Sequence, residues 1–173
     1  GVMGGHVNVT DGQYTYMRGP VNDDNRPLYD YTLMPTHLKS LFHPSELQKW
    51  EKVDGYSFMK GCQVMKIPTR TAPQLLSKDS PMGRARLSTL LFDVQNDPGQ
   101  TNPLTDEDIE ARMIELMLRE MARNESPREQ YQRLGLPEPE RTGTGHGDDM
   151  IEMPDADAIR AACVLNKDTG REA

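Results

Sequence analysis

Few side chains in this chain have the chemistry to do work. The strongest nucleophiles are two cysteines, Cys62 and Cys163. They lack C-x-x-C spacing and are too few for a disulfide scaffold. One bridge between them is compatible with the sequence but not inferable from it. Free cysteine is among the most buried residue types, so both are expected to be small core hydrophobes. Nucleophilic use would require a lowered thiol pKa. The four histidines are His6, His37, His43 and His146. Their spacing fits neither H-E-x-x-H nor the Cys/His pairs of zinc sites. His6 stands beside two glycines at a strand start, where it can face a cleft or simply cap the strand. His37 follows Pro35-Thr36 in a loop, and loops carry binding residues more often than cores do. His146 lies in a Gly-rich tail and is expected to be idle.

Asp106, Glu107, Asp108 and Glu110 cluster, but a calcium loop wants acids at alternating positions around a glycine. They read instead as the acidic first turn of a helix, where the macrodipole favours anions. Asp148-Asp149 in the tail are ordinary solvated charges. Gly1, Gly4 and Gly5 lack a preceding strand and the Lys-Ser/Thr pair of a phosphate loop. Met113, Met117 and Met121 recur at helical spacing. Such a stripe is either the core side of an amphipathic helix or an adaptable partner-binding face, and the core reading is the commoner one.

These groups must be held by recognisable elements. Val7 and Val9 alternate with polar residues, Asp11-Gly12 follows, and Tyr14 and Tyr16 come next, which predicts a hairpin over 6–10 and 13–18. Pro20, Pro27, Pro35 and Pro44 make 19–45 irregular, apart from a short strand at Asp30–Met34. Ser45-Glu46-Leu47-Gln48 reads as a capping box opening a short helix to Lys52. Tyr56–Ile67 suggests a strand pair, and 68–88 a loop. Leu87–Val94 is a strand that breaks at Asn96-Asp97-Pro98-Gly99. Thr105 then caps a long helix ending near Asn124, with Ile109, Met113, Leu116, Met117 and Met121 as its apolar stripe. Ser126-Pro127-Arg128-Glu129 opens a second helix, which Gly135 stops after Tyr131 and Leu134 face inward. Arg141–Asp149 reads as a linker, and Asp155–Leu165 as one more short helix with Ile159, Ala162 and Cys163 on a face.

The totals bound what such a chain can do. It has 173 residues, 35% of them hydrophobic, and a mean hydropathy of −0.74, which predicts a modest core with long loops. Net charge is −7 and the pI about 5.1, with no Lys/Arg cluster, so nucleic acid is not an expected partner. No run of about 18 apolar residues would span a membrane. The opening Gly1-Val2-Met3-Gly4-Gly5-His6 has neither the basic start nor the apolar middle of a signal peptide, and reads as a chain entered midway.

One segment carries a resemblance. Leu91-Phe92-Asp93-Val94, Asp97-Pro98, Asn102 and Leu104 are similar to the last strand and turn of formylglycine-dependent (type I) sulfatases. In that family a pattern of the type L-[YF]-D-L-x-x-D-P-x-E-x-x-N-L precedes the final helix; Asn102 stands one position before the Asn of that pattern, where this chain has Pro103. Gln100 stands where Glu is usual, keeping size and hydrogen-bonding capacity. The helix Asp106–Asn124 resembles the one that closes these enzymes. Gly4 to Arg18 resembles the hairpin just past their catalytic domain. The resemblance covers about residues 4–136; residues 137–173 match nothing recognisable.

The resemblance implies an α+β fold: a small antiparallel sheet of about four strands packed by a long C-terminal amphipathic helix, with long loops. Residues 1–136 would be a sulfatase C-terminal subdomain, and 137–173 a linker and acidic tail. The partner would be a missing N-terminal α/β catalytic domain of the alkaline-phosphatase superfamily. That domain would hold formylglycine and calcium and cleave a sulfate ester of a small molecule or glycan. The formylglycine signature is C-x-P-x-R or C-x-A-x-R, and neither Cys62-Gln63-Val64-Met65-Lys66 nor Cys163-Val164-Leu165-Asn166-Lys167 fits it. No catalytic residue or metal ligand carries over, and the chain alone is expected to be inactive. His6 and His37 are the candidates for approaching the substrate cleft. An exposed apolar patch is expected where the catalytic domain docks. Two alternatives remain open: a free-standing protein-interaction module, and a phosphodiesterase or phosphonate hydrolase fragment of the same superfamily.

Overall fold

The computed structural model describes residues 4–34, 36–37, 40–69, 87–141 and 151–164. The hairpin forms as its residues dictate. β1 (Val7–Thr10) pairs antiparallel with β2 (Tyr14–Arg18), Val7 opposite Arg18 and Thr10 opposite Thr15. Gly12 takes φ +93° in the turn, a conformation that costs a residue without Cβ little. Asp11 Oδ1 accepts the amides of Gln13 (2.9 Å) and Tyr14 (2.7 Å), closing the turn.

The third strand of this sheet comes from far along the chain. After β3 (Tyr29–Thr32), β4 (Glu51–Val53) and β5 (Val64–Pro68) comes β6 (Leu90–Asp93). β6 lies against β2, setting Tyr16 opposite Leu91. Strands β3, β5 and β4 form a second three-stranded antiparallel sheet with β5 at its centre. The α+β architecture is therefore present, with its strands divided between two small sheets where a single sheet of about four was expected. The reason lies in the pairing of β5. It takes β3 on one edge and β4 on the other, while β2 takes β6, so neither sheet extends into the other.

The long helix, α1 (Glu107–Arg123), packs against the first sheet. Its cap is Asp106, not Thr105. The Asp106 backbone is extended and its carboxylate accepts from the amides of Asp108 and Ile109. Met113, Met117 and Met121 are buried in the core together with Ile114 and Leu118. The methionine stripe is thus the core side of the helix, and that side is wider than the sequence stripe suggested. Ile109 and Leu116 pack at its margin.

α2 (Arg128–Leu134) follows, stopped by Gly135 at φ +59°. No side-chain capping box closes its start: the cap is Pro127, and the Ser126 amide bonds back to Met121 O. Glu129, expected to complete a box, instead turns its carboxylate to Lys66 and Tyr31. The short helix expected from Ser45 is one 3₁₀ turn, Leu47–Lys49, with no side-chain cap bond. β7 (Glu140–Arg141) and β8 (Ile151–Glu152) pair antiparallel, and α3 (Ala156–Val164) packs Ile159, Ala162 and Cys163 into the same core as α1. His146, Asp148-Asp149 and most of the expected 68–88 loop and 141–149 linker lie outside the described residues.

Two buried arginines tie these pieces together. Arg18 is fully buried and donates to Leu134 O (2.8 Å), Gly135 O (3.2 Å), Ala162 O (3.1 Å) and Tyr16 Oη (3.0 Å). It thereby satisfies carbonyls at the ends of α2 and α3, groups a helix leaves without internal partners. Tyr16 Oη in turn donates a hydrogen bond to Glu110 Oε1 at 2.9 Å, a hydrogen-bonded line from core to surface. Burial pushes the Tyr16 hydroxyl well above the ordinary tyrosine range, so it remains a donor. Arg133 donates to Gly4 O, Gly5 O and Asn25 Oδ1, and desolvation pulls its guanidinium down to about 10.

Candidate functional site

The candidate histidines sit on different elements. His6 heads β1, and its Nε2 lies 2.8 Å from Ser88 O. It ties the start of the first strand to the segment entering β6. Gly19 ties the same segment through its amide to Thr89 Oγ1 at 3.0 Å. A Cβ on Gly19 would meet Leu87 O at 1.7 Å, so the approach of the two chains requires glycine there. His6 therefore has a structural partner, whatever else it faces.

His37 lies in the loop between β3 and β4. Its Nε2 is 3.1 Å from Glu46 Oε1, and its ring meets that of Phe42 at 4.1 Å between centroids. Glu46 Oε2 accepts the His43 amide at 2.6 Å, so one carboxylate fixes both the loop backbone and the imidazole. The His37 amide donates to Ser40 O, and Thr36 bridges Leu41, closing a tight turn. His43 Nδ1 contacts Ser45 Oγ at 2.7 Å, a local pair within the same turn. No contact joins His6 to His37 among the described residues.

The cysteines separate. Cys163 is buried, as expected, with its Sγ 3.7 Å from Ile159 O. Cys62 is exposed, against expectation. It follows Lys60 and Gly61, both at positive φ, in the turn where its amide bonds Met59 O. That left-handed turn carries it outside the core. Neither cysteine is in a disulfide.

A third group was not anticipated. Tyr31 and Lys66 are cross-strand partners in the second sheet. Glu129 from α2 reaches across, pairing with Lys66 Nζ and accepting the Tyr31 hydroxyl at 3.0 Å. Lys66 Nζ also lies 4.4 Å from the Tyr29 ring centroid. Burial pushes the Glu129 carboxyl up, but the hydrogen bonds it accepts from Lys66, a backbone amide and Tyr31 outweigh it and hold it below the ordinary glutamate range. The hydrogen bond to Glu129 raises Lys66. Tyr31 leads on to Tyr56 and Tyr56 to Phe58, whose rings stack at 5.4 Å. The alternation of Tyr29, Tyr31 and Lys66 on facing strands was the only sequence signal for this cluster.

Among the described residues no group of three or more His, Cys, Asp or Glu is placed to hold a metal ion. No described helix is long and apolar enough to cross a membrane. Large apolar side chains do stand exposed, and many fall in one stretch of chain around the second sheet: Leu33, Met34, Leu41, Trp50 and Phe58. Compared with protein families, with curated proteins and with solved structures, the chain matches none.

Proposed function

We propose that residues 4–136 are the C-terminal subdomain of a sulfatase-like hydrolase, which cleaves a sulfuric ester in the full-length enzyme and is not catalytic alone. The observation that carries this reading is the resemblance at Leu91–Leu104, joined to the work those residues do. Asp93 accepts the amides of Gln95 and Asn96. Asp97 Oδ2 accepts those of Thr101 and Asn102, both at 2.7 Å. The Leu104 amide returns to Leu91 O at 2.7 Å. The residues shared with the sulfatase pattern are thus the ones that turn a strand into a capped helix. Gln100, the departure from that pattern, sits at φ +50° within the turn.

The exposed Leu33, Met34 and Leu41 give the reading secondary support, because stray apolar side chains of this size on one loop suit a surface that a larger domain covers. His37, braced by Glu46 on that loop, is the better cleft candidate, since His6 is committed to Ser88. In this role the subdomain shapes the substrate cleft, while nucleophile, formylglycine and calcium belong to the catalytic domain. The test is hydrolysis of an aryl sulfate, with calcium, by the full-length protein and by this chain alone. Turnover by the full-length protein only is the expected result. Turnover by the isolated chain would overturn the reading, and turnover of phosphodiesters or phosphonates in place of sulfates would move it to another ester of the same superfamily.

A further inference from the structure

Gly4, Gly5 and His6 precede β1 and belong to no ladder, yet each is tied to another part of the fold. Gly4 O accepts from Arg133 Nη1 at 3.2 Å and from Asn25 Nδ2 at 2.8 Å. Gly5 O accepts from Arg133 Nη2 at 3.3 Å. His6 Nε2 lies 2.8 Å from Ser88 O. We propose that Arg133 and Asn25 clamp this entry segment, making the connection into the first sheet a fixed joint and not a flexible tether. The inference rests on the reading above, which sets the catalytic domain before Gly4.

The make-up of the clamp supports that role. Arg133 is 2% exposed and Asn25 1%. Among the described residues, every hydrogen bond from the Arg133 guanidinium goes to a neutral acceptor: Gly4 O, Gly5 O, Asn25 Oδ1 and, from Nε, Gln130 Oε1. Burying a cation without a carboxylate costs free energy, so such a group is retained where its donors are needed. The hairpin does not need them. It is registered from Val7 onward, and Asp11 closes its turn. The donors serve instead two carbonyls that stand outside the strand, groups a loose linker would leave to water.

The segment is fitted to the clamp in turn. Gly4 takes φ +75°, and a Cβ there would meet Asn25 Nδ2 at 2.6 Å and Leu28 Cδ2 at 3.0 Å. Only a residue without a side chain seats there unless Asn25 moves. Asn25 is held by the bond of its own amide to Asn22 O, and the Val21 amide bonds Arg133 O. The loop after β2 and α2 therefore close on the entry segment together. A joint of this kind keeps a cleft shaped by two domains in one geometry, as a preorganised site requires.

The experiment uses the full-length protein and two variants. Arg133→Met removes the donors and keeps an apolar chain in their place. Gly4→Ala disturbs the clamp from the segment's side and leaves Arg133 intact. Each is digested with a nonspecific protease, the cuts mapped by mass spectrometry, and its radius of gyration measured by small-angle X-ray scattering. Cleavage at Gly4–Val7 should be about tenfold faster or more in both variants, because lost charge-assisted hydrogen bonds or a strained positive-φ alanine raise the open population by that order. The radius of gyration should rise with it, while cuts within α1 stay as slow as in the wild type. Unchanged cleavage at Gly4–Val7, an unchanged radius of gyration, or cleavage of α1 accelerated as much as that of the entry segment would each overturn the proposal. The last would make Arg133 a core group and no joint. Aryl-sulfate turnover by the wild type is recorded alongside. Its absence sinks the sulfatase reading alone, since cleavage and scattering judge the clamp without it.

Discussion

Glu129 holds two elements through one carboxylate, and its protonation state should be visible in stability. Hydrogen bonds from Lys66, a backbone amide and Tyr31 set its folded pKa below the ordinary value of 4.5, despite the opposing effect of burial. A depressed carboxyl stabilises the fold above its unfolded pKa, and the contribution disappears as pH falls through the folded value. Lys66 works in the opposite sense: its raised pKa contributes below 10.5 and is lost as pH rises through the folded value. Urea denaturation of the wild type and Glu129→Gln across acid pH is the check. The stability gap between them should be widest above 4.5 and close on acidification. A gap independent of pH would mean that the carboxylate is not the group that matters. Arg18 is a different case. It meets carbonyls and a phenol, with Glu110 reached only through Tyr16, so its value lies in satisfying buried acceptors, each costly to leave bare.

Among the elements, the unit β6–turn–α1 is the most self-determined. Asp106 caps α1, and Asp106→Ala should cost about 1 kcal/mol, while Thr105→Ala should cost far less. Comparing urea midpoints of the two variants decides it; equal effects would restore the cap to Thr105. The unit also shows why some features could be read in advance. The β1–β2 hairpin, β6, α1 and the Gly135 stop are governed by local signals: alternation, Asp-Gly, Asp-Pro-Gly and helical periodicity. The capping box at Ser126 failed because its partner was taken elsewhere: Glu129 serves the second sheet. At Ser45 only a single 3₁₀ turn forms, without a side-chain cap bond, while Glu46 serves the His43 amide and the His37 imidazole. Local patterns cannot see a distant competitor for the same carboxylate. The same limit hid the Tyr31–Lys66–Glu129 cluster, assembled from residues far apart in sequence. His37 was legible as a loop histidine, but its Glu46 brace was not.

At the scale of the molecule, the question is whether 151–164 belongs to the folding unit. Composition separates this stretch from the rest, because a Gly- and Asp-rich segment precedes it. Packing joins it. Ile159, Ala162 and Cys163 share a core with Met113, Met117 and Leu134, and the Ala162 carbonyl accepts from Arg18. Arg160 adds an exposed pair with Asp108, a contact worth little by itself. If α3 were an appendage, truncating Ile159 would leave the main transition untouched. If it is part of one cooperative core, Ile159→Ala creates a cavity beneath α1 and should cost about 2–5 kcal/mol. The readout is a single unfolding transition, followed at once by Trp50 fluorescence and by far-ultraviolet circular dichroism. Both signals should shift together to lower urea. A main transition that stays in place while a minor helical signal melts early would detach α3 from the unit. Arg18 would then be a buried cation serving α2 alone, through Leu134 and Gly135, with one of its donors returned to solvent.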